Sequence, residues 1–352
     1  MKILFVANLK NPSASGRQRL WALQQSNATI IAFDKGKYPS KLGRFSGPAA
    51  KIFKQSSLMR NDKLLGKDLI ALGKQTNPDV IWIEWATELR PSVLNELRAL
   101  TSHPLLISFQ DDNPWGKRRG DRWMWRNYFK VVPFFDLHLV KRESDIANLK
   151  GLGGKNFRMW KHGVYSPLFH PLAEPVKKKH PVSFVGTCID GRVQLIEYLL
   201  TNNVDIHVFG NRWDQRSNLP KRYPANFHPS AEGEVYADVI HQSQICLGLV
   251  SHSNQDEWTM RTYEVPGSAG LLLAERTPVH EALFEEDKEM AFFSTAEECL
   301  KKIENLLADP EHCLNMGRQA YQKCKNSHFT LEEEMQHLLN EIETKYYPLK
   351  VN

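Results

Sequence analysis

Several features that would place a chain in a common enzyme class are absent from these 352 residues. The five cysteines are scattered with no Cys-x-x-Cys pair, so neither a disulfide framework nor a zinc site is indicated. No histidines have the His-Glu-x-x-His spacing, and the sequence contains neither a Gly-x-Ser-x-Gly turn nor a P-loop motif. These absences argue against hydrolases, zinc enzymes and P-loop proteins, and we expect no bound metal.

Long apolar runs are absent too. No stretch approaches the roughly 18 residues that a membrane span needs. The opening MKILFVANLK is too short and too soon interrupted to be a signal peptide, so we expect a cytoplasmic location, with any membrane contact at the periphery. The formal net charge of +6 suits an anionic ligand, an acidic membrane surface or nucleic acid, and does not choose among them.

Short apolar runs alternate with helical patterns in two successive series, which predicts parallel sheets in an α/β fold. A Pro- and Lys-rich stretch at 171–181 separates the series, and the length suits two domains of roughly 170 residues. We predict an N-terminal domain over 1–170, a C-terminal domain over 171–330, and a C-terminal helix over 331–352 that packs back on the N-terminal domain. The predicted strands are 2–7, 28–33, 80–85, 105–109 and 137–140, then 182–185, 206–209, 245–250, 270–274 and 290–293.

The most informative motif is Arg261-Thr-Tyr-Glu264, which precedes a small-residue turn and an apolar strand. Its two charged residues share one helix face. A carboxylate there can accept both ribose hydroxyls, and a guanidinium can bind a diphosphate with two hydrogen bonds. The alternative is a surface salt bridge, worth about 0.2–0.5 kcal/mol.

This motif resembles the donor-site signature of the GT-B glycosyltransferases of the group 1 type, and especially of their CgeB-like, spore-maturation branch. The matching residues are Arg261, Glu264, the turn from Gly267 to Gly270, the Leu-rich strand at 271–273, and Glu275. The resemblance implies two Rossmann-like doubly wound domains facing a crevice. It also implies a nucleoside-diphosphate sugar as donor, a saccharide, protein or lipid-linked acceptor, a retaining reaction, and no cofactor beyond the donor.

Other segments extend the resemblance. In retaining GT-B enzymes two glutamates lie eight residues apart, and Asp256 stands where the first is expected, next to Glu257. Which carboxylate faces the transferred sugar stays open. The segment His162-Gly163-Val164 resembles an interdomain hinge in which Tyr165 replaces the usual Asp.

Four residues after the first strands of the second series are further candidates for the donor site. Gly186 and Gly210 would allow close backbone approach to the ligand, and Arg192 and Arg212 would supply positive charge for phosphate. Against these roles stand ordinary turn glycines and solvated arginines. With Glu264 and Gly267, they complete the predicted nucleotide-binding set, while Arg261 and Asp256 are assigned to catalysis.

On the acceptor side, Gln110-Asp111-Asp112-Asn113-Pro114 follows a buried strand and resembles an Asp-Asp-Pro element of CgeB-like proteins. Asp111 or Asp112 could contact the acceptor, and either could act as general base if the reaction inverts the anomeric centre. The alternative is that these Asp residues form an Asx turn. Glu84 and Glu88 compete for the acceptor-side role, against a helix-capping or surface role.

The segment 115–126 mixes tryptophans with basic residues and suits an acceptor or docking surface. A helix buried on its Trp side explains it equally, and no recognised nucleic-acid motif accompanies it, so we expect no nucleic-acid partner. Two rival functions remain: a nucleotide-sugar epimerase on the same fold, and a non-catalytic GT-B-like protein that binds a glycan or nucleotide.

Overall fold

The computed structural model describes residues 1–10, 14–54, 56–117, 122–174 and 176–346. The described chain forms two compact units, one of residues 1–161 together with residues from 334 onward, and one of residues 162–333. The boundary predicted from the sequence lies at residue 170 instead. The shift arises because Val164 pairs within the second unit: its N–H donates to the Phe329 carbonyl (2.7 Å), and its own carbonyl accepts from Leu331 N–H (2.9 Å).

The first unit is built on a six-stranded parallel sheet with the order β2-β1-β3-β4-β5-β6. Strands β1, β3, β4 and β5 are almost wholly buried, which explains why they appear in the sequence as continuous apolar runs. The strands are β1 (Lys2–Ala7), β2 (Thr29–Asp34), β3 (Val80–Glu84), β4 (Leu105–Phe109), β5 (Leu137–Val140) and β6 (Phe157–Met159).

Helices supply the crossovers that parallel strands require. Their apolar sides complete a core in which Leu65, Leu69, Leu94 and Leu97 are packed with the buried side chains of β1, β3 and β4. The helices are α1 (Ser15–Gln24), α2 (Ser46–Phe53), α3 (Asp62–Thr76), α4 (Pro91–Arg98), α5 (Arg126–Val131) and α6 (Glu143–Gly151).

The second unit has its own six-stranded parallel sheet with the order β12-β11-β10-β7-β8-β9. Its strands are β7 (His180–Val185), β8 (Ile206–Phe209), β9 (Phe227–His228), β10 (Ser243–Gly248), β11 (Leu272–Glu275) and β12 (Ala291–Phe293). Strands β8 and β9 are added on one side of β7, and the chain then returns to place β10, β11 and β12 on the other side. This is the Rossmann strand order, and ligands of such sheets bind beyond the carboxyl ends of the strands at the switch point, here between β7 and β10.

Helices also connect the strands of the second unit. Side-chain caps begin three of them: Thr277 accepts from His280 N–H (3.1 Å), Thr295 from Glu298 N–H (3.1 Å) and Asp309 from His312 N–H (3.0 Å). The helices are α7 (Arg192–Thr201), α8 (Trp213–Arg216), α9 (Leu219–Arg222), α10 (Glu234–Gln242), α11 (Arg261–Gly267), α12 (Pro278–Leu283), α13 (Ala296–Ala308) and α14 (Pro310–Asn326).

A last helix, α15 (Leu331–Glu341), contributes to the first unit from Glu334 onward. There Arg158 of β6 forms ion pairs with Glu334 and with Glu341, the latter at 3.2 Å. These buried and half-buried contacts attach the later part of α15 to the edge of the first sheet.

The predicted fold class is confirmed, because two parallel sheets with connecting helices are present. Two strands were missed. β6 has three residues and β9 has two, and both are incompletely buried, so neither leaves the apolar run by which the other strands were found.

Two glycines lie where β7 and β8 end side by side. A methyl group on Gly210 would come within 2.0 Å of the Gly186 carbonyl oxygen, and one on Gly186 within 2.7 Å of Phe184 Cζ. The same carbonyl accepts a hydrogen bond from the Trp213 indole (3.0 Å). Both glycines are therefore required by backbone and side-chain packing around this strand end.

We expect Gly210→Ala to lower the free energy of unfolding by about 2 kcal/mol or more, because backbone cannot move aside as a flexible side chain can. Urea denaturation measures this change. Gly151→Ala is the matched control: nothing lies within 4 Å of its added methyl, so it should stay within about 1 kcal/mol of the parent chain. An equal stability for both variants would contradict the packing explanation.

Candidate functional site

Glu264 lies on α11, on the segment that follows β10 at the switch point, and is only 5% exposed. It is three residues from Arg261, yet no ion pair within 4.0 Å joins the two described side chains. The surface salt-bridge alternative is therefore wrong, since the carboxylate is buried and forms no ion pair with Arg261.

Burial raises the pKa of Glu264 to about 7, although the positive charge of Arg261 acts to lower it. The buried hydroxyl of Tyr236 faces this carboxyl, without a hydrogen bond of good geometry to any described residue. Burial and the Glu264 charge raise the pKa of that phenol well above its ordinary value, so it stays protonated. Glu264 thus lies beside the protonated hydroxyl of Tyr236 and the guanidinium of Arg261.

Arg261 has unused hydrogen-bonding capacity. Its Nε is buried and has no partner in the described part of the chain, and no described carboxylate forms an ion pair with it. Its guanidinium carbon lies 6.0 Å from the centre of the Phe184 ring, which also carries Arg192 at 5.4 Å. A bidentate anion would satisfy the donors that the protein leaves open.

The Arg192 side chain is buried and bonded to backbone carbonyls. Nη1 donates to the Thr187 carbonyl (2.9 Å) and Nη2 to the Leu249 carbonyl (3.2 Å). These bonds join the loop after β7 to the loop after β10. The phosphate-binding role predicted for Arg192 stays a prediction, and its bonds show that it also holds these two loops together.

Of the other residues in the predicted nucleotide set, Gly186 lies beside Arg192, since a methyl on Gly186 would come within 3.3 Å of Arg192 Nη1. Gly267 is buried, and a methyl there would meet Val164 Cγ1 at 2.4 Å, so packing explains it without a ligand. Arg212 is exposed with a φ of +67° just before α8. Gly186 and Gly210 form the close strand-end contact described above.

Asp256 lies in the loop before α11. The Asn254 side-chain amide donates to both of its carboxylate oxygens at 3.1 Å, and its own N–H donates to the Ser251 carbonyl (3.0 Å). The loop therefore fixes where this carboxylate points. Glu257, its neighbour in the sequence, is exposed.

A cavity of about 410 Å³ opens at the carboxyl ends of β7, β10, β11 and β12. Arg192 lines it, with three polar residues that the sequence analysis did not combine: Asp190, His252 and Glu275. Ser251 Oγ donates to Asp190 (3.0 Å), and Glu275 accepts from Val250 N–H (3.1 Å) and contacts His252 Nε2 (2.5 Å). Neither Arg261 nor Glu264 lines this cavity. Each of the three polar residues follows or ends a strand, which is the signal that could have found them.

In the first unit, two of the acceptor-side candidates, Glu84 and Asp111, belong to a polar network around the buried Arg19. Arg19 of α1 bonds both carboxylate oxygens of Glu84, at the end of β3, one of them at 3.0 Å. The same guanidinium contacts Asp111 after β4 (3.2 Å), which also accepts from Ser15 Oγ (2.9 Å). Asp111 and Glu84 are thus brought together, and Arg19, which the sequence analysis missed, lies between them.

The loop after β4 forms an Asx turn at Asn113, whose side-chain oxygen accepts from Trp115 N–H (2.8 Å). An Asx turn was predicted here as the alternative role of Asp111 and Asp112. The turn is present, but the side chain that forms it is that of Asn113. Asp111 points into the Arg19 network, and its carbonyl accepts from Arg142 (3.0 Å). Asp112 is half-buried in the same loop.

Glu88 is buried and paired, so the capping or surface role proposed for it is wrong. It accepts from Arg60 Nε (2.9 Å) and contacts Lys35 Nζ (3.2 Å), and these two cations together hold its pKa below the ordinary value despite burial. Glu88 therefore anchors the stem of the segment between Lys35 and Arg60.

The tryptophan-rich segment packs inward where it is described. Trp125 lies 5.1 Å from Trp85 and Trp115 lies 5.4 Å from Phe129, between ring centres. Arg118 and Arg119 of this segment lie outside the described residues. Across the residues that are described, no group of three or more His, Cys, Asp or Glu could hold a metal, and no helix is long and apolar enough to cross a membrane.

Replacing Arg19 should destabilise the protein, because the buried Glu84 carboxylate would lose the cation that compensates its charge. Burial already raises the pKa of Glu84 even with Arg19 opposing it. We expect Arg19→Leu to lower the free energy of unfolding by about 3–5 kcal/mol in urea titrations, and Arg19→Leu combined with Glu84→Leu to regain most of that loss. A single variant as stable as the parent chain would show that the network is solvated.

Comparisons with known proteins bear on both units. The model of a family described as glycosyl transferase-like matches residues 192–340. A comparison with curated proteins gave no match.

Several solved structures share the fold over nearly their whole length. A sucrose-phosphate synthase from Thermosynechococcus elongatus has a TM-score of 0.71 at 13% identity, covering 97% of this chain and 98% of that one. Anabaena HepE in complex with UDP-glucose has a TM-score of 0.67 at 11% identity, covering 98% and 100%. An α,α-trehalose 6-phosphate synthase from Burkholderia multivorans has 0.59 at 13%, covering 99% and 98%.

At these identities the structural likeness concerns the fold, and the family match runs from the start of α7 through nearly all of α15. The fold that they share with this chain is GT-B, with two parallel α/β sheets. The chain therefore has the GT-B fold, and its residues 192–340 match the family described as glycosyl transferase-like.

Proposed function

We propose that the protein transfers a sugar from a nucleoside-diphosphate sugar to a saccharide, protein or lipid-linked acceptor, with retention and without a metal ion. The observation that carries the proposal is the buried Glu264 beside Arg261, whose guanidinium has no anionic partner among the described residues. Structures of Anabaena HepE, a protein of similar fold, hold UDP and UDP-glucose, which supports a uridine nucleotide as the first donor to test.

In this proposal the two residues of α11 divide the nucleotide between them. The Glu264 carboxylate accepts the ribose hydroxyls, and Arg261 donates two hydrogen bonds to the diphosphate. Phe184 beneath Arg261 limits how the guanidinium can turn, so that its donors are held before the ligand arrives. Preorganised hydrogen-bond donors stabilise a transition state most where negative charge develops. In this reaction that charge develops on the leaving diphosphate.

The chemical step needs no group beyond donor and acceptor. The acceptor oxygen forms a bond to the anomeric carbon as the bond from that carbon to the β-phosphate oxygen breaks. In a retaining transfer the acceptor proton passes to the departing phosphate oxygen, and Arg261 compensates the negative charge left on the diphosphate. Arg261 thereby does the work that a divalent cation does in other transferases.

The network of the first unit supplies the acceptor-side residues of the proposal. Arg19 and Ser15 hold the half-exposed Asp111 in one orientation. In that orientation its carboxylate can accept a hydrogen bond from a hydroxyl of the acceptor substrate. If the reaction instead inverts the anomeric centre, Asp111 is our candidate for general base. The CgeB-like branch stays the narrower prediction, based on Arg261, Glu264 and Glu275.

The role of Arg261 is tested by comparing a nucleotide with its nucleoside. We expect Arg261→Ala to weaken UDP binding by roughly 10- to 100-fold in titration calorimetry, because a charge-assisted pair is lost, and to leave uridine binding unchanged. Sugar release from UDP-sugars, measured with a chelator present, should fall at least as much. Arg318→Ala, which removes an exposed arginine of α14, is the control and should match the parent chain.

Equal losses for UDP and uridine would assign Arg261 to folding instead of diphosphate binding. Turnover of the donor without an added acceptor to a stereoisomeric nucleotide-sugar would indicate the epimerase. Binding without turnover under any acceptor would indicate the non-catalytic rival.

Glu264 predicts a pH dependence with a definite sign. Because its folded pKa of about 7 lies above its ordinary value of 4.5, the folded state binds the extra proton, and stability falls as pH rises from about 4.5 to 7. Glu264→Gln should therefore raise the free energy of unfolding at pH 8 by up to about 3 kcal/mol and change it little at pH 4.

The same substitution separates stability from binding. UDP affinity of the parent chain should increase as pH rises through 7, as the carboxylate ionises, whereas Glu264→Gln should show only the titration of the UDP phosphate that both proteins share. Parallel titrations of the two proteins measure the difference. Identical pH profiles would remove Glu264 from the nucleotide site.

A further inference from the structure

One segment of the first unit presents large apolar side chains to solvent. It covers residues 41–54, including α2, and we call it the apolar–basic segment. Phe45, Ile52 and Phe53 are 61%, 73% and 65% exposed, and Leu42 is exposed as well. Soluble proteins rarely group so many exposed apolar side chains within a few residues, and such groups mark interaction surfaces.

Positive charge surrounds these apolar side chains. Lys41 and Arg44 flank Leu42 and Phe45, while Lys51 and Lys54 enclose the pair at 52 and 53. All four cations are exposed, and residues 35–61 contain no Asp or Glu. The segment is therefore both more apolar and more uniformly basic than a solvated surface requires.

The segment is attached to the unit by a defined base. Pro39 and Arg60 form an antiparallel bridge, and Asn61 N–H donates to the Tyr38 carbonyl (3.2 Å). Glu88 binds both stems through Lys35 and Arg60. Within α2 itself only Ala50 is buried, so its large apolar side chains do not serve the core of the unit.

The amino-acid composition of the apolar–basic segment indicates what kind of surface it contacts. Interfaces between proteins are depleted in lysine at their centres, whereas three of the four cations here are lysines adjoining the apolar side chains. Lysine and arginine beside Phe, Leu and Ile are typical of segments that lie in the headgroup region of a bilayer, with their apolar side chains inserted and their charges on lipid phosphates. Charge complementarity thus favours an anionic membrane surface.

We propose that the apolar–basic segment docks the protein on an anionic phospholipid surface. Leu42, Phe45, Ile52 and Phe53 enter the boundary between headgroups and acyl chains. Lys41, Arg44, Lys51 and Lys54 bind the headgroup phosphates. The contact is peripheral, and it is separate from the nucleotide-binding residues assigned above.

Cosedimentation of the full chain with lipid vesicles tests this proposal. Vesicles of phosphatidylcholine alone are compared with vesicles that contain about 30% phosphatidylglycerol, at low and at high salt. The parent chain should bind the anionic vesicles and bind the zwitterionic ones at least about tenfold more weakly, with loss of binding at high salt.

Two double variants separate the apolar and the charged contributions. Ile52→Ser with Phe53→Ser should weaken partitioning at least about tenfold through lost apolar burial, and Lys51→Glu with Lys54→Glu should do the same on anionic vesicles only. Because these side chains are exposed, thermal unfolding should not change. Leu314→Ser removes an apolar side chain 46% exposed on α14 of the second unit, and it should bind like the parent chain.

The proposal is overturned if the parent chain does not sediment with anionic vesicles, or if both double variants bind as it does. It is overturned equally if light scattering shows a dimer that Ile52→Ser with Phe53→Ser converts to monomer, since a second copy of the chain would then cover the segment. UDP binding by the double variants should be unchanged in either case, so the result is independent of the proposed catalytic function.

Discussion

The buried guanidinium of Arg192 holds together the two loops between which the second sheet reverses its direction of growth. Its hydrogen bonds to the Thr187 and Leu249 carbonyls join the ends of β7 and β10. A parallel sheet leaves its functional loops without ladder partners at the carboxyl edge, so an internal donor is needed to fix their spacing. Arg192 also lies over the Phe184 ring, at 5.4 Å from its centre, and lines the cavity at this edge of the sheet.

In the second unit, the Glu264 carboxyl and the Arg261 guanidinium lie near each other without forming an ion pair. Glu264 and Arg261 are near enough for the cation to lower the carboxyl pKa, but they do not neutralise each other in contact. In the first unit the opposite solution is used, because Arg19 bonds Glu84 directly. Of these two arginine–carboxylate pairs, only Arg261 and Glu264 are not bonded to each other, and Arg261 Nε has no partner among the described residues.

Local signals in the sequence predicted much of this. The run from Lys2 to Ala7 has the apolar continuity of a strand buried on both faces, and it is β1. Arg261 and Glu264 were selected because three-residue spacing places both on one helix face and because they match a donor-site signature; their roles stay predictions. The boundary near residue 162 was not found, because it depends on Val164 pairing with Phe329, far along the chain.

Long-range partners explain the other omissions. Arg19 contacts Glu84 and Asp111, which are 65 and 92 residues away, and no local pattern connects them. The carbonyls that Arg192 binds could not be read from the sequence, which shows only its charge. The packing of Gly267 could not be read either, since its partner Val164 lies in a segment assigned to the other domain.

A crystal structure of the protein with UDP tests the central claim most directly, because the account assigns each part of the nucleotide to a named side chain. The ribose hydroxyls should lie on Glu264 and the diphosphate on Arg261, with the loops tied by Arg192 unchanged. UDP bound instead in the cavity of Asp190 and Glu275, with its ribose away from Glu264, would contradict the account.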